Sequence, residues 1–274
     1  MAAYWSENGV MRSRILSFFG WILLLGSVAF AQMSIIEQGG VVNAAGLGHS
    51  TTIAPGSLIS IFGTGLASTL ATASSVPLST TLADVDSVTI NGTPARLLFV
   101  SDRQINAQAP WGLGLGAANV VVTRGGVSSQ PVTAQVNLFS PALYGFNLGT
   151  AQAIAVNLDG SIVAPAGVIP GVTSHPAMAG DTLVFYASGL GPVDQTPADG
   201  ANSLDTLRQT TTMPAVLIGS VPSQVAFSGL SPQFVGVYQL NVVVPIGPSP
   251  GDAVPTQVQI GGVTSADTLT IALQ

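Results

Sequence analysis

Gly56-Ser57-Leu58-Ile59-Ser60-Ile61-Phe62-Gly63-Thr64-Gly65-Leu66 and Gly180-Asp181-Thr182-Leu183-Val184-Phe185-Tyr186-Ala187-Ser188-Gly189-Leu190 are one pattern written twice, with small residues at matching places and apolar residues between them. Working outward, Gln104-Ile105-Asn106-Ala107-Gln108-Ala109-Pro110 returns as Gln239-Leu240-Asn241-Val242-Val243-Val244-Pro245. Arg124-Gly125-Gly126-Val127-Ser128-Ser129 returns as Ile260-Gly261-Gly262-Val263-Thr264-Ser265. Three blocks recurring in one order identify a duplicated folding unit of about 100 residues, an ordinary domain size.

The blocks themselves read as strands. Short alternating or β-branched runs follow one another between Gly and Pro punctuation, and no helical periodicity competes with them. Strands are expected near 57–62, 87–90, 95–100, 104–108, 119–123 and 132–138 in the first copy. In the second they fall near 182–186, 215–218, 224–227, 237–244, 256–260 and 268–272. Asn91-Gly92 sits between two such runs, and this pair suits the φ > 0 geometry of a tight hairpin; Gly125-Gly126, Gly219-Ser220 and Gly261-Gly262 hold similar places. Many short strands spaced by turns imply antiparallel β-sandwiches.

Ahead of the repeat, Arg12 and Arg14 precede an apolar run from Ile15 to Phe30 and a small-x-small site at Ala29-Phe30-Ala31. This is the pattern of a secretion signal, cleaved after Ala31, and the run is shorter than the ~20 residues of a spanning helix. The expected organisation is all-β: an N-terminal signal peptide (1–31), then two tandem immunoglobulin-like β-sandwich domains (32–140 and 141–274). Two stretches of the second copy, 164–176 and 194–208, have no counterpart in the first and read as surface insertions.

Composition narrows the function. The chain has no cysteine, which excludes disulfides, thiolate metal sites and a lipidated cysteine. Only 7% of its residues are charged, against about 25% in ordinary soluble domains. Removing Arg12, Arg14 and Glu7 with the leader leaves four arginines against eleven acids, a formal charge of −7. Neutralising a nucleic-acid backbone or an anionic membrane surface needs the opposite balance. With so few titratable groups, stability should vary little with pH.

Ile53-Ala54-Pro55-Gly56-Ser57, Gln104-Ile105-Asn106 through Pro110-Trp111, Asn157-Leu158-Asp159-Gly160-Ser161, Ala187-Ser188-Gly189-Leu190-Gly191-Pro192-Val193 and Gly236-Val237-Tyr238-Gln239-Leu240-Asn241 carry a resemblance. Together they resemble the Solibacter-type C-terminal domain, a module at the ends of large secreted bacterial proteins, over nearly all of residues 41–274. The glycine block is also similar to immunoglobulin-like folds of the IPT/TIG kind. The resemblance implies no catalytic residue and no ligand.

Candidates for chemistry are few. After the leader only His49 and His175 could serve a nucleophile as base, and both sit beside small or turn-forming residues. Ala187-Ser188-Gly189-Leu190-Gly191 lacks the first glycine of a Gly-x-Ser-x-Gly elbow. Asp194, Asp199 and Asp205, spaced five and six apart, could converge on calcium; solvated loop acids are the plainer reading. Asp84 and Asp86 would share the exposed face of a strand. Gly112-Leu113-Gly114-Leu115-Gly116 is followed by no lysine and reads as a strand connection, not a phosphate loop. Trp111, Tyr144, Tyr186 and Tyr238 could stack on a sugar or fill a core. Trp111 and Tyr144 exposed on one face would favour sugar binding, and their burial a structural role.

The sequence thus points to a secreted or periplasmic protein, not an enzyme, acting as a structural, adhesive or docking module at a bacterial surface. No catalytic, cofactor or metal residue is assigned. A protein or surface glycan is the expected partner, with neither nucleic acid nor, after cleavage, a membrane. A carbohydrate-binding module is the alternative, and a hydrolase the second.

Overall fold

In the glycine block, alternate residues Ile59 and Ile61 are wholly buried, as are Leu183 and Phe185 in its second copy. Period-2 alternation in a strand sends successive side chains to opposite faces, so each block builds one wall of a core. A computed structural model describes residues 33–48, 50–146 and 151–274, and all regular structure among them is β. The expected leader and His49 lie outside the described residues.

The first copy contains β1 (Ile35–Asn43), β2 (Thr52–Ile53), β3 (Leu58–Thr64), β4 (Ala71–Thr72), β5 (Val85–Ile90), β6 (Thr93–Pro94), β7 (Arg96–Val100), β8 (Gln104–Gln108), β9 (Gly116–Arg124), β10 (Val127–Ser128) and β11 (Val132–Val136). One sheet runs β1-β3-β8-β7-β4; the other runs β2-β11-β9-β5-β6, with β10 on β9. Ile59, Ile61, Leu97 and Ile105 from the first layer meet Val88, Ile90, Val120 and Val122 from the second in one apolar cluster.

The second copy contains β12 (Ala142–Leu143), β13 (Ala155–Val156), β14 (Thr182–Ser188), β15 (Ala215–Ile218), β16 (Val221–Leu230), β17 (Tyr238–Val243), β18 (Gly251–Ile260), β19 (Val263–Thr264) and β20 (Leu269–Leu273). Strands β12 and β13 both pair β14, and the path continues β17-β16-β15-β18 with β19 and β20 on β18. Ten-residue β16 bends through a bulge between Val225 and Phe227 and so belongs to both layers. Where β16 is continuous, the first copy is divided, with Pro94 at the break between β6 and β7 and a bulge between Leu97 and Phe99. A second apolar cluster joins Leu183, Phe185, Leu240 and Val242 to Val216, Ile218, Val258 and Ile271.

All twelve expected strands are present. Strand β1 was not legible, because Gly39-Gly40 breaks its alternation and the register against β3 shifts between Ile36 and Val41. The four expected hairpin turns all have two consecutive residues at positive φ: Asn91-Gly92, Gly125-Gly126, Gly219-Ser220 and Gly261-Gly262. The duplication extends to their bonding. Ser129 N donates to Val122 O as Ser265 N donates to Val258 O, both at 2.8 Å.

The joint between the copies is built on Phe139. A Cβ on Gly261 would lie 2.3 Å from its ring, and one on Gly191 2.5 Å from it, so a hairpin glycine and a loop glycine of the second copy form a slot for the aromatic. Gly125 has the same φ as Gly261, +54° against +56°, with open space beside it. The pair separates backbone strain from packing. Gly125→Ala should cost about 1–2 kcal/mol for the left-handed conformation alone. Gly261→Ala should cost a further ~1–3 kcal/mol for overpacking against Phe139. Urea unfolding of the two variants measures the difference.

Candidate functional site

The structure first sorts the groups that sequence singled out for chemistry. His175 Nε2 meets Asp159 Oδ2 at 3.1 Å, and Ser161 Oγ donates to Asp159 Oδ1 at 2.6 Å. Acid, imidazole and hydroxyl are therefore together, but in the wrong order for nucleophilic catalysis. A base must touch the hydroxyl it activates, and here the carboxylate stands between them. Asn157 Nδ2 also donates to Ser161 Oγ, so the group closes the Asn157-Leu158-Asp159-Gly160-Ser161 turn. The Ser188 hydroxyl is buried in β14.

The acids do not gather. Among the described residues no three His, Cys, Asp or Glu side chains form a metal-binding group. Asp194 Oδ1 accepts from Gln209 N at 3.0 Å, Asp199 Oδ1 from Trp111 N at 2.9 Å, and Asp205 holds Arg208 at 2.6 Å. The convergence that a calcium site needs is absent from this loop. Asp84 and Asp86 correct the expectation of a shared face. Asp84 precedes β5, pairs Arg124 at 2.9 Å and accepts from Ser68 N, while Asp86 accepts from Gly126 N.

The stretch 194–208, expected as a surface insertion, crosses to the first copy. Gly200 N donates to Gln108 Oε1 at 2.6 Å, and Leu78 N donates to Gly200 O at 2.8 Å. From the other side Asn43 Nδ2 donates to Ser140 O, and Gly46 N to Leu143 O. Both sandwiches lie within one compact unit, residues 31–274, and this clamp is its joint.

Of the four aromatics, Tyr238 is fully buried and donates to Gly191 O. Trp111 packs over Gly56, whose Cβ would lie 2.3 Å from the indole, and its Nε1 is buried without a partner. The Tyr144 hydroxyl is buried beside that of Ser188 with neither in bonding geometry, and burial pushes the phenol's pKa up. Trp111 and Tyr144 therefore form no exposed platform. Trp111 and Tyr144 are half-buried with their polar atoms enclosed, and Tyr186, also half-buried, lies edge-on to the exposed Phe234 at 5.9 Å.

Tyr186 belongs to a constellation that occurs twice. In β14 and β17 it lies opposite Gln239, and one pair along Val184 lies opposite Asn241, which faces Phe227 of β16. In β3 and β8 Phe62 lies opposite Gln104, and Ser60 opposite Asn106, which faces Phe99 of β7. The register is the same, the bulge before the second aromatic is the same, and the eight aromatic and amide side chains (Phe62, Phe99, Gln104, Asn106, Tyr186, Phe227, Gln239 and Asn241) are half-buried on the face away from the core. Gln104 Nε2 donates to Asn106 Oδ1 at 2.7 Å, as Gln239 Nε2 donates to Asn241 Oδ1 at 2.9 Å. Asn106 Oδ1 also accepts from Ser60 Oγ. Beside the first face opens a groove of about 690 Å³, lined by Phe62, Gln104, Ser60, Asn43, Phe146 and Ala151. The sequence shows the glycine block and the Gln-x-Asn block as repeats, but Phe99 and Phe227 lie outside them, and only the tyrosines and the tryptophan were weighed as ligands. The recurrence of Gln-x-Asn itself was the available signal.

The IPT/TIG domain model matches residues 49–136, which lie in the first sandwich. No curated protein matches the chain. Among solved structures, SGBP-B of a Bacteroides ovatus mixed-linkage glucan utilization locus, in complex with a mixed-linkage heptasaccharide, is 12% identical with a TM-score of 0.35, over 83% of this chain and 45% of that one. The Escherichia coli adhesin FdeC is 14% identical with a TM-score of 0.25, over 87% of this chain and 65% of that one. The extracellular region of plexin A4 is 13% identical with a TM-score of 0.29, over 88% and 18%. The chain thus spans less than two thirds of each of these proteins. Among the described residues no helix is long and apolar enough to cross a membrane.

One pair does give the molecule a pH response. His175 Nδ1 bonds Pro176 O and Nε2 bonds Asp159, so its pKa is raised. Hydrogen bonds from Ser161 and His175 hold Asp159 down at about 2. The histidine's contribution is complete below its ordinary value of 6.5 and is lost as pH rises through the raised pKa. The carboxylate's is complete above 3.8 and is lost as pH falls toward 2. Stability from this pair is therefore flat between those limits. NMR titration should place His175 above a model histidine, and Asp159→Asn should lower it; an unshifted His175 would refute the pairing.

Proposed function

We propose that this chain is a non-catalytic binding or docking module, exported by a bacterium and acting at its surface. The matched outer faces of its two sandwiches would be the surfaces it presents. The observation that carries this reading is the repeated constellation of Phe62, Gln104, Asn106 and Phe99 with Tyr186, Gln239, Asn241 and Phe227. A core constrains the inner face of a strand, so Ile105 and Leu240 need no functional explanation. Outer faces carry no such constraint, and a duplicated unit is free to lose likeness there. The joint at Phe139 and the clamp from Asp199 and Gly200 support the same reading, since they hold two presenting surfaces in fixed relation.

The resemblance to the Solibacter-type module and the IPT/TIG match over 49–136 accord with a module of this kind. In this reading the leader ends at Ala31 and the two domains meet between residues 140 and 141. No catalytic group, cofactor or metal takes part.

The test uses envelopes from the cells that make the protein. Purified labelled protein should sediment with them. Asn106→Asp together with Asn241→Asp, which keeps the shape and adds two charges, should cut bound protein about tenfold, the equivalent of ~1.4 kcal/mol. Equal binding by both forms, with unchanged thermal melting, would remove these faces from the function.

A further inference from the structure

We infer that the occupant of the two faces is an uncharged polysaccharide, bound at two equivalent sites; the inference rests on the docking reading above and names its ligand. Three features of the faces carry it.

The first is the hydrogen-bond inventory. An amide has two donors and a two-lone-pair acceptor. In each pair the Gln Nε2 and Asn Oδ1 are joined to one another, and no described bond engages Gln Oε1 or Asn Nδ2. Each face therefore offers a free acceptor oxygen and a free NH2 donor group, fixed side by side by the bond between the two amides. A sugar hydroxyl is both donor and acceptor, and neighbouring hydroxyls on a pyranose ring satisfy both. Because the two amides are already locked together, little side-chain entropy remains to be lost on binding.

The second is the aromatic frame. Phe62 and Phe99 flank one amide pair, and Tyr186 and Phe227 flank the other. Phe227 is folded down over Gly229, where a Cβ would come within 2.6 Å of its ring tip. Phe62, Phe99 and Tyr186 are likewise half-buried. They offer ring surface to the C–H faces of a sugar, whereas a protein hot spot is an anchor inserted in a pocket. The groove beside the first face, about 690 Å³, lies within the usual range for small-molecule sites, ~300–1,000 Å³.

The third is charge and number. The eight side chains include no basic group, so an acidic polymer would lose its hydration without an ionic partner. Two like sites in one compact unit suit a ligand that repeats. Binding both raises avidity with no new contact, provided that the polymer spans them.

The experiment pairs a glycan array with treated envelopes. Purified protein should bind neutral glycans and not anionic ones, and a neutral polysaccharide should be held at least about tenfold more tightly than its short oligosaccharides. Phe99→Ala or Phe227→Ala should each weaken binding, and the two together should abolish it. Asn106→Ala with Asn241→Ala provides the same test without touching an aromatic, and thermal melting reports folding of every variant. Binding to envelopes should be destroyed by periodate, which cleaves vicinal diols, and survive proteinase. Binding to no neutral glycan, binding unaltered in well-folded face variants, or envelope binding that proteinase removes and periodate spares would each overturn the inference. In the last case the loss seen in the doubly charged variant still upholds docking, through a protein partner. Envelope binding untouched by that variant defeats both.

Discussion

Everything in this molecule hangs on the pairing of the glycine-block strand with the Gln-x-Asn strand. In β3 against β8 and in β14 against β17, core residues fall opposite core residues (Ile59 with Ala107, Ile61 with Ile105, Leu183 with Val242, Phe185 with Leu240), and the Gln-x-Asn amides fall opposite outward side chains. A slip of β8 or β17 by one residue would turn Gln104 and Asn106, or Gln239 and Asn241, into the core and expose Ile105 or Leu240. Each large apolar side chain contributes about 1.5–3 kcal/mol when buried, and a buried amide without partners costs about 1–3 kcal/mol. The correct register is therefore favoured from both sides, and it puts the same four groups outward in each copy. The core and the candidate face are two consequences of one pairing.

The joint between the sandwiches shows how a chain without cysteine fixes its own geometry. Small residues let backbones approach: Gly189 lies against Ser140, Gly236 against Gly56, and Gly191 with Gly261 against Phe139. Side chains of the second copy then satisfy backbone donors of the first, as Asp199 does for Trp111 and Asp267 for Leu47. Backbone groups hidden at a joint must be bonded, since leaving them bare costs as much as a lost hydrogen bond. The acids that resembled a metal loop act chiefly as acceptors for backbone N–H groups.

That use of charge bears on the surface. With so few ionisable groups, several acids are engaged at turns and joints: Asp84 with Ser68, Asp86 with Gly126, and Asp159 with Ser161. The sheet faces are left to amides, hydroxyls and aromatics.

The sequence by itself determined the duplication, the strands that alternate, and the positive-φ turns at Asn91-Gly92 and its three counterparts. Each of these follows from local chemistry: period-2 burial, and the few residues that tolerate left-handed backbone. Strand β1 escaped because Gly39-Gly40 erased its period. Only the tertiary structure decided that Asp199 and Gly200 reach across to Gln108 and Trp111, that Trp111 and Tyr144 are turned inward, and that Phe99 and Phe227 stand beside Asn106 and Asn241. Those relations join residues far apart in the chain, and their geometry comes from sheet register and bulges, which no single stretch of sequence encodes.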